Sequence, residues 1–362
     1  MKCSPTSLGG PAGEIPKECY PEQIKAEKQE ANALLDKVRR QSPFVCNTEP
    51  KPPIPSEAEA LYQYTLWHDL HWHNDNFEKP LDEIDFEPLL ELIPLYAIAA
   101  GNGHYRATER LMQFFTERNA GDSTFFEPYR LPIAELYRQQ LPNNAAFNKA
   151  DTWDPDVART YADLGVLDAV NRMGFLTGQA YLAEYLSPED KQFMSDLSQQ
   201  YYRCAAQQYS FDGIDGLYKQ LANEPSTPAD VLEKYQQYAR FGLHLDYLAK
   251  LYDPREVENI SDFPRDKERA QRYLQIHNFF ETYPFFKKSR RYEIIGNPGQ
   301  FRIQITDLEK IVPLPPTALP KWDGTFAFQR WYEGKPPVKP NARRIRKMAD
   351  KAQLHWQTGL PK

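Results

Sequence analysis

The sequence lacks the patterns that identify most enzymes and membrane proteins. No run of about eighteen apolar residues occurs, so no transmembrane helix is predicted, and no apolar signal-peptide core stands near Met1. The motifs His-Glu-x-x-His, Gly-x-Ser-x-Gly, Cys-x-x-Cys and the Gly-rich phosphate loop are all missing. We therefore predict a protein that is not an enzyme and needs no cofactor. An enzyme whose site comes from distant residues is kept as an alternative.

Cysteine is scarce, and its four positions suggest three roles. Cys3 is followed by small residues, Pro and Gly, which is typical of a mature bacterial lipoprotein with an acylated cysteine and a flexible tether. We predict Cys3 as a lipidation candidate; an ordinary disordered start is the alternative. Cys19 and Cys46 flank a predicted helix and are candidates for a disulfide in an oxidising compartment. Cys204 lies in an apolar helical context and is expected to be a buried thiol.

Charge is unevenly distributed along the chain. The net charge is −6, and the segment from Gly334 to Lys362 carries eight Lys/Arg and one Asp, so that tail has +7 and the rest has −13. An acidic body repels phosphates, and no nucleic-acid-binding motif is present, so no nucleic-acid partner is expected. Residues 341–356 predict a basic helix with an apolar side. We expect it to dock on acidic helices by charge complementarity; a basic arm for an external partner is the alternative.

A weak internal repeat organises the middle of the chain. Its first copy is AAGNGHYRATERL, from Ala99 to Leu111, and the same spacing recurs around Gly165, Tyr209 and Gly242. The third copy lacks its glycine and the fourth lacks its alanine. Small residues let neighbouring helices approach, a glycine ends the first helix, and the following Leu or Met fills the core. Each copy therefore predicts a helix–turn–helix hairpin that must stack on its neighbours.

The motif Ala-Ala-x-x-Gly-x-x-x-Ala-x-x-x-Leu in AAGNGHYRATERL resembles the Sel-like repeat, a relative of the tetratricopeptide repeat. With the C-terminal segment LPPTALPKWDG, the chain is similar to an uncharacterised bacterial domain family over roughly residues 56 to 335. Members of that family are often lipoproteins or periplasmic proteins encoded near type VI secretion phospholipase effectors. The resemblance implies an all-α fold, an irregular helical-hairpin solenoid of the Sel-like or TPR-like kind.

Three segments are predicted from these patterns. Residues 1–55 form an N-terminal tether, a helix and a Pro-rich connector; residues 56–288 form the helical repeat domain. Residues 289–362 form a C-terminal extended element and the basic helix. Within this last segment FRIQI (301–305) and WDGTFAFQRW (322–331) alternate in hydrophobicity, which predicts a small extended or β-hairpin element.

The stretch WHDLHWHND, residues 67–75, concentrates three of the seven histidines beside two aspartates. His68 and His71 share a helix face, but no second cluster supplies further ligands, so we predict no metal site. From Trp67 to Glu91 there are eight acids and one base, with aromatic residues interleaved. The acids are expected to raise the pKa values of the histidines.

This acidic, aromatic stretch is either a solvated loop or a contact surface for a partner. Aromatic residues favour interface cores, and opposite charge accelerates encounter. The partner-binding candidates are Trp72, His73, Asp75, Phe77, Glu78, Asp82, Glu83 and Asp85.

The resemblance implies an immunity protein that neutralises a type VI secretion effector, a lipase or phospholipase, by occluding it. The expected partner is that cognate secreted effector, met in the periplasm, with membrane contact only through an anchor at Cys3. A general envelope or periplasmic adaptor of the Sel-like kind is the alternative.

Overall fold

The computed structural model describes residues 20–41, 43–116, 127–179, 185–221, 227–253, 263–286 and 304–362. These residues fall into two compact units. Unit 1 draws on Met1–Pro50 and Asn143–Glu224, and unit 2 on Lys51–Pro142 and Pro225–Lys362.

Helices account for nearly all the regular structure of the described residues. In chain order they are α1 (Tyr20–Arg40), α2 (Ser56–Asn76), α3 (Glu87–Leu90), α4 (Ile93–Gly101), α5 (Tyr105–Thr116), α6 (Glu127–Gln140), α7 (Pro142–Phe147), α8 (Pro155–Asp163), α9 (Leu167–Thr177), α10 (Pro188–Gln207), α11 (Phe211–Gln220), α12 (Pro228–Ala239), α13 (Leu245–Tyr252), α14 (Lys267–Thr282), α15 (Leu308–Ile311), α16 (Ala327–Tyr332) and α17 (Ala342–Lys351). Short 3₁₀ turns occupy Leu81–Glu83 and Pro284–Phe286. None of these helices has the length and apolar character needed to cross a membrane.

The predicted all-α class is confirmed, and the repeat copies form helical hairpins. The four turn residues are left-handed, with φ of 91° at Gly103, 81° at Gly165, 58° at Tyr209 and 75° at Gly242. In the first copy the Gly103 amide donates to the Ala100 carbonyl at 2.9 Å, and the next amide donates to the Ala99 carbonyl at 3.2 Å. The other three copies repeat this pair of bonds, which is the Schellman helix ending. Tyr209 adopts the left-handed turn although it has a side chain.

Two of these glycines differ in their surroundings and allow a matched test within unit 2. A Cβ added at Gly242 would lie 2.3 Å from the ring of Phe280, which is fully buried, whereas one at Gly103 meets nothing closer than Pro55 at 3.8 Å. Both positions impose the left-handed penalty of about 1–2 kcal/mol on alanine. Gly242→Ala adds overpacking of about 1–3 kcal/mol. We therefore expect Gly242→Ala to lower the free energy of unfolding clearly more than Gly103→Ala in urea titrations. Equal losses would contradict the Phe280 contact.

The core of unit 1 joins α1 to the α8–α9 hairpin and α10. Ala31, Leu34, Leu35 and Val38 of α1 pack in one buried cluster with residues of those helices. The extended chain after α1 is held to the same helices. There the ring centroids of Phe44 and Tyr201 are 4.3 Å apart.

A disulfide joins Cys46 to Cys204, with their Cα atoms 5.5 Å apart. The predicted pairing of Cys46 with Cys19 is therefore wrong, and Cys204 is buried as predicted but is not a free thiol. The reason is that the extended chain carries Cys46 along α10, a contact between residues 158 positions apart that sequence spacing does not reveal. Cys3 and Cys19 lie outside the described residues.

The core of unit 2 combines α2, α4 and α5 with the C-terminal helices in one buried cluster. Of the predicted extended or β-hairpin element, the extended alternative describes residues 312–326, which have no helix or strand. The hairpin is absent, since residues 304–332 contain no strand and Ala327–Tyr332 is helical. Asp323 and Gly324 do form a turn, with the Thr325 amide donating to Asp323 Oδ1 at 3.0 Å. That turn leads into α16 because Phe328, Trp331 and Tyr332 follow helical spacing and pack on the core. Residues 301–303 lie outside the described part.

The units do not follow the predicted boundaries at residues 55 and 288. The helix α1 and Cys46 belong to unit 1, since their apolar residues and disulfide join residues 143–221. The C-terminal segment belongs to unit 2, since it packs on α2 and α4. Boundaries drawn where composition changes missed these long-range contacts.

The basic helix α17 docks by its apolar side. Ile345, Met348 and Ala349 are buried, and α4 accepts them because it consists of small and apolar residues. Gly101 leaves room for Ala352, since a Cβ added at position 101 would lie only 2.9 Å from the Ala352 Cβ. The expected docking by charge complementarity is therefore wrong, and the basic side chains face solvent.

Candidate partner-binding surface

The stretch WHDLHWHND is the C-terminal half of α2, and much of it is buried in unit 2. Trp72 and His73 are 8% and 4% exposed. The His71 ring is stacked between Trp67 and Tyr332, with centroid distances of 3.6 Å and 4.0 Å. The His73 ring lies parallel to Phe285 at 4.9 Å. These histidines are packed against aromatic rings, and the described residues contain no group that could hold a metal ion.

A buried ionic network lies beneath this half of α2. The Asp69 carboxylate accepts hydrogen bonds from Arg110 Nε at 2.8 Å and from the Tyr96 hydroxyl at 2.7 Å. Arg110 Nη2 lies 3.1 Å from the other Asp69 oxygen and 3.0 Å from His73 Nε2. Asp69 and Tyr96 have no exposed surface, and Arg110 is 2% exposed. Breaking such a pair costs much free energy because a buried charge that loses its partner cannot be solvated by water.

Burial controls the titration of these groups. It opposes ionisation of Asp69, but the Arg110 charge and the His73 hydrogen bond outweigh it and hold the pKa of that carboxyl well below its usual range. Burial lowers the pKa of His73 although Asp69 acts in the opposite direction. It also lowers the pKa values of His68 and His71. The expectation that the surrounding acids raise the histidine pKa values is therefore wrong, because desolvation is the larger effect.

The acids at the end of α2 and in the chain after it face solvent. Exposed carboxylates from the last turn of α2 to the start of α4 belong to Asp75, Glu78, Asp82, Glu83, Asp85, Glu87 and Glu91. We call these seven residues the acidic face. Lys79 is the one base in this stretch, and its Nζ donates to Asn76 Oδ1 at 3.0 Å.

The backbone of the acidic face is fixed by the apolar residues that lie between and beside its acids. Trp72 Nε1 donates to the Asp85 carbonyl at 3.0 Å, which ties the loop back to α2. Phe77, Ile84 and Leu89 are buried in the core of unit 2. Of the partner-binding candidates, Asp75, Glu78, Asp82, Glu83 and Asp85 are therefore on the surface. Trp72, His73 and Phe77 lie beneath it and support it.

Two further features were not signalled by the sequence analysis. Arg110 was missed, although its place three residues after the core-facing Ala107 of a repeat copy points it towards the core.

Unit 1 has an open cavity of about 1200 Å³ over α9, α10 and α11. Its lining includes Asp168, Asn171, Arg172, Phe175, Tyr202 and Asp215. The cavity was missed because its lining comes from separate helices and from the chain between them.

Comparisons with known proteins give one family match and two similar solved structures. Residues 246–362 match the model of a family described as a domain of unknown function, DUF6396. The curated proteins include no match. The immunity protein Pa5087 from Pseudomonas aeruginosa is similar at 18% identity and a TM-score of 0.47, covering 76% of this chain and 95% of its own. The Pseudomonas aeruginosa protein PA5086 is similar at 19% identity and a TM-score of 0.45, covering 76% of this chain and 96% of its own.

Proposed function

We propose that this protein is an immunity protein that binds a secreted toxin stoichiometrically and covers its active site. The toxin is a type VI secretion effector of the phospholipase class, and the encounter takes place in the periplasm, with Cys3 as a lipid anchor. The repeat motif and the C-terminal segment LPPTALPKWDG support this proposal by their resemblance to the bacterial family described above. Binding alone is required of such a protein.

The acidic face is the observation that carries the proposed binding. Its backbone is held by Trp72, Phe77 and Leu89, so the chain that carries its seven carboxylates has little backbone freedom to lose on association. A fixed surface of one sign attracts a partner of the opposite sign and orients it during encounter. The proposed contact on the toxin is therefore a basic surface beside its active site.

The disulfide supports the proposed compartment. Disulfides persist in the bacterial periplasm and are rare where the thioredoxin and glutathione systems keep thiols reduced. The Cys46–Cys204 pair joins two distant parts of unit 1, as structural disulfides of exported proteins do.

Co-expression with the toxin encoded beside this gene tests the proposed function. We expect growth rescue when the toxin is directed to the periplasm, together with a complex of fixed stoichiometry that survives size-exclusion chromatography. A complex without rescue would favour an adaptor. If co-expression gives no growth rescue and no complex forms, the immunity function is rejected.

Charge reversal tests the acidic face. The triple change Glu78→Lys, Asp82→Lys and Glu83→Lys replaces attraction with repulsion, so we expect the association rate with the toxin to fall about tenfold or more at low salt. The measurement is stopped-flow or surface-plasmon kinetics at several salt concentrations, since the loss must shrink as salt screens the charges.

The matched control reverses exposed acids elsewhere, with Glu30→Lys, Asp36→Lys and Glu233→Lys. It carries the same net charge as the test variant. If both triple variants slow association equally, net charge and not the acidic face is responsible.

A further inference from the structure

The solvent side of α17 is a dense basic surface on a firmly held helix. Its five exposed cations are Arg343, Arg344, Arg346, Lys347 and Lys351. We call these five residues the basic face. Among the described residues none of them pairs with a carboxylate. The one acid on this side, Asp350, pairs with Lys362 Nζ at 2.7 Å.

The helix α17 is capped at its start and held on unit 2 along its buried side. Asn341 caps its start, accepting a hydrogen bond from the Arg344 amide at 3.0 Å. Asn102 Nδ2 donates to the Met348 carbonyl at 2.9 Å. The buried side of Ile345, Met348 and Ala349 anchors it to the core. The cations are therefore displayed by an ordered helix and not by a flexible tail.

An aromatic side chain stands beside the cations. The Arg346 guanidinium lies over the ring of Trp356 at 4.5 Å, and that indole is 38% exposed. In the chain before α17, Lys335 and Lys339 add positive charge, and Val338 is 88% exposed. Indole rings and cations together are typical of surfaces that rest in the headgroup region of a bilayer.

We propose that the basic face binds the anionic phospholipid surface of a membrane, with Trp356 entering the headgroup layer. The uneven distribution of charge along the chain favours an anionic membrane as the partner of the basic face. The tail from Gly334 carries +7 and the rest of the chain −13, so an anionic bilayer attracts α17 and repels the remaining surface. Unit 2 would therefore meet the bilayer with α17 facing it. This contact is independent of the toxin and of lipidation at Cys3.

Vesicle flotation with the unlipidated protein tests the proposal. We expect binding to vesicles of phosphatidylcholine with phosphatidylglycerol at 7:3 and no binding to phosphatidylcholine alone, with loss of binding near 0.5 M NaCl. Each basic side chain near an anionic surface strengthens binding about fivefold. Arg346→Glu with Lys347→Glu should therefore weaken partitioning by at least tenfold, and Trp356→Ala should weaken it further.

The control is Lys25→Glu with Lys28→Glu, which makes the same charge change on exposed residues of α1. It should leave most of the partitioning intact. Circular dichroism melting shows whether the α17 variant remains folded, and the conservative Arg346→Lys with Lys347→Arg should restore binding. Equal binding to neutral vesicles, no binding at low salt, or an equal loss in the control overturns the proposal. If Arg346→Glu with Lys347→Glu leaves vesicle binding unchanged but abolishes binding to an acidic protein, the basic face binds a protein partner instead.

Discussion

Asp69→Ala is expected to lower the free energy of unfolding of unit 2 by about 3–5 kcal/mol. The change removes the carboxylate that accepts from Arg110 Nε and Nη2, so a guanidinium with 2% exposure loses this charged partner. The hydroxyl of Tyr96 loses its acceptor at the same time. Urea unfolding followed by circular dichroism measures the loss as a shift of the transition midpoint.

A double variant separates the buried charge from the packing of the network. Asp69→Ala with Arg110→Met removes both charges, so we expect it to recover much of the stability lost by Asp69→Ala alone. Asp75→Ala is the control on the same helix, because its side chain is exposed and surface changes usually stay within about 0.5 kcal/mol. A loss below about 1 kcal/mol for Asp69→Ala would contradict the buried pair.

Cys46→Ser with Cys204→Ser is expected to lower the free energy of unfolding of unit 1 by about 3–5 kcal/mol. The disulfide closes a loop between residues 158 positions apart, and a cross-link over a long loop restricts the unfolded chain strongly. In the folded state it holds the extended chain after α1, which otherwise relies on contacts such as Asn47 Nδ2 with the Asp163 carbonyl at 2.8 Å. Thermal and urea unfolding measure the effect.

Two controls accompany the disulfide variant. Reduction of the unchanged protein should lower its stability to that of the double serine variant, and Cys19→Ser should leave stability unchanged. Non-reducing peptide mapping should recover a cross-linked pair containing Cys46 and Cys204. A cross-linked Cys19 peptide would show that the other pairing exists.

Local patterns in the sequence predicted the hairpins well. The turn at Gly103 was visible because a helix ends where a left-handed residue follows small residues, and that ending needs only neighbours in the chain. Tyr209 shows that the spacing carries the signal even where glycine is missing. The alternation around Phe326 misled, because a run of aromatic residues satisfies both strand and helix periods until its core partners are known.

Long-range contacts were beyond sequence reasoning. Cys46 meets Cys204 only because α1 and its extended chain join unit 1. The acids of the acidic face were found by charge counting. The burial of Trp72 and His73 depends on Asp85 and Phe285, which come from other segments. The sequence therefore indicated which charges face a partner but not which aromatic residues support them.

The interleaving of the two units has a consequence for synthesis on the ribosome. The segment matched by the family model, residues 246–362, supplies only part of unit 2. Its Tyr332 carbonyl accepts from Trp67 Nε1 of α2 at 3.1 Å, and its Met348 carbonyl accepts from Asn102 Nδ2, just after α4, at 2.9 Å. The helices α2 and α4 are thus made early but keep uncovered apolar surface until this segment emerges. The segments of unit 1 end by residue 224, so its core can form while unit 2 still lacks residues 246–362.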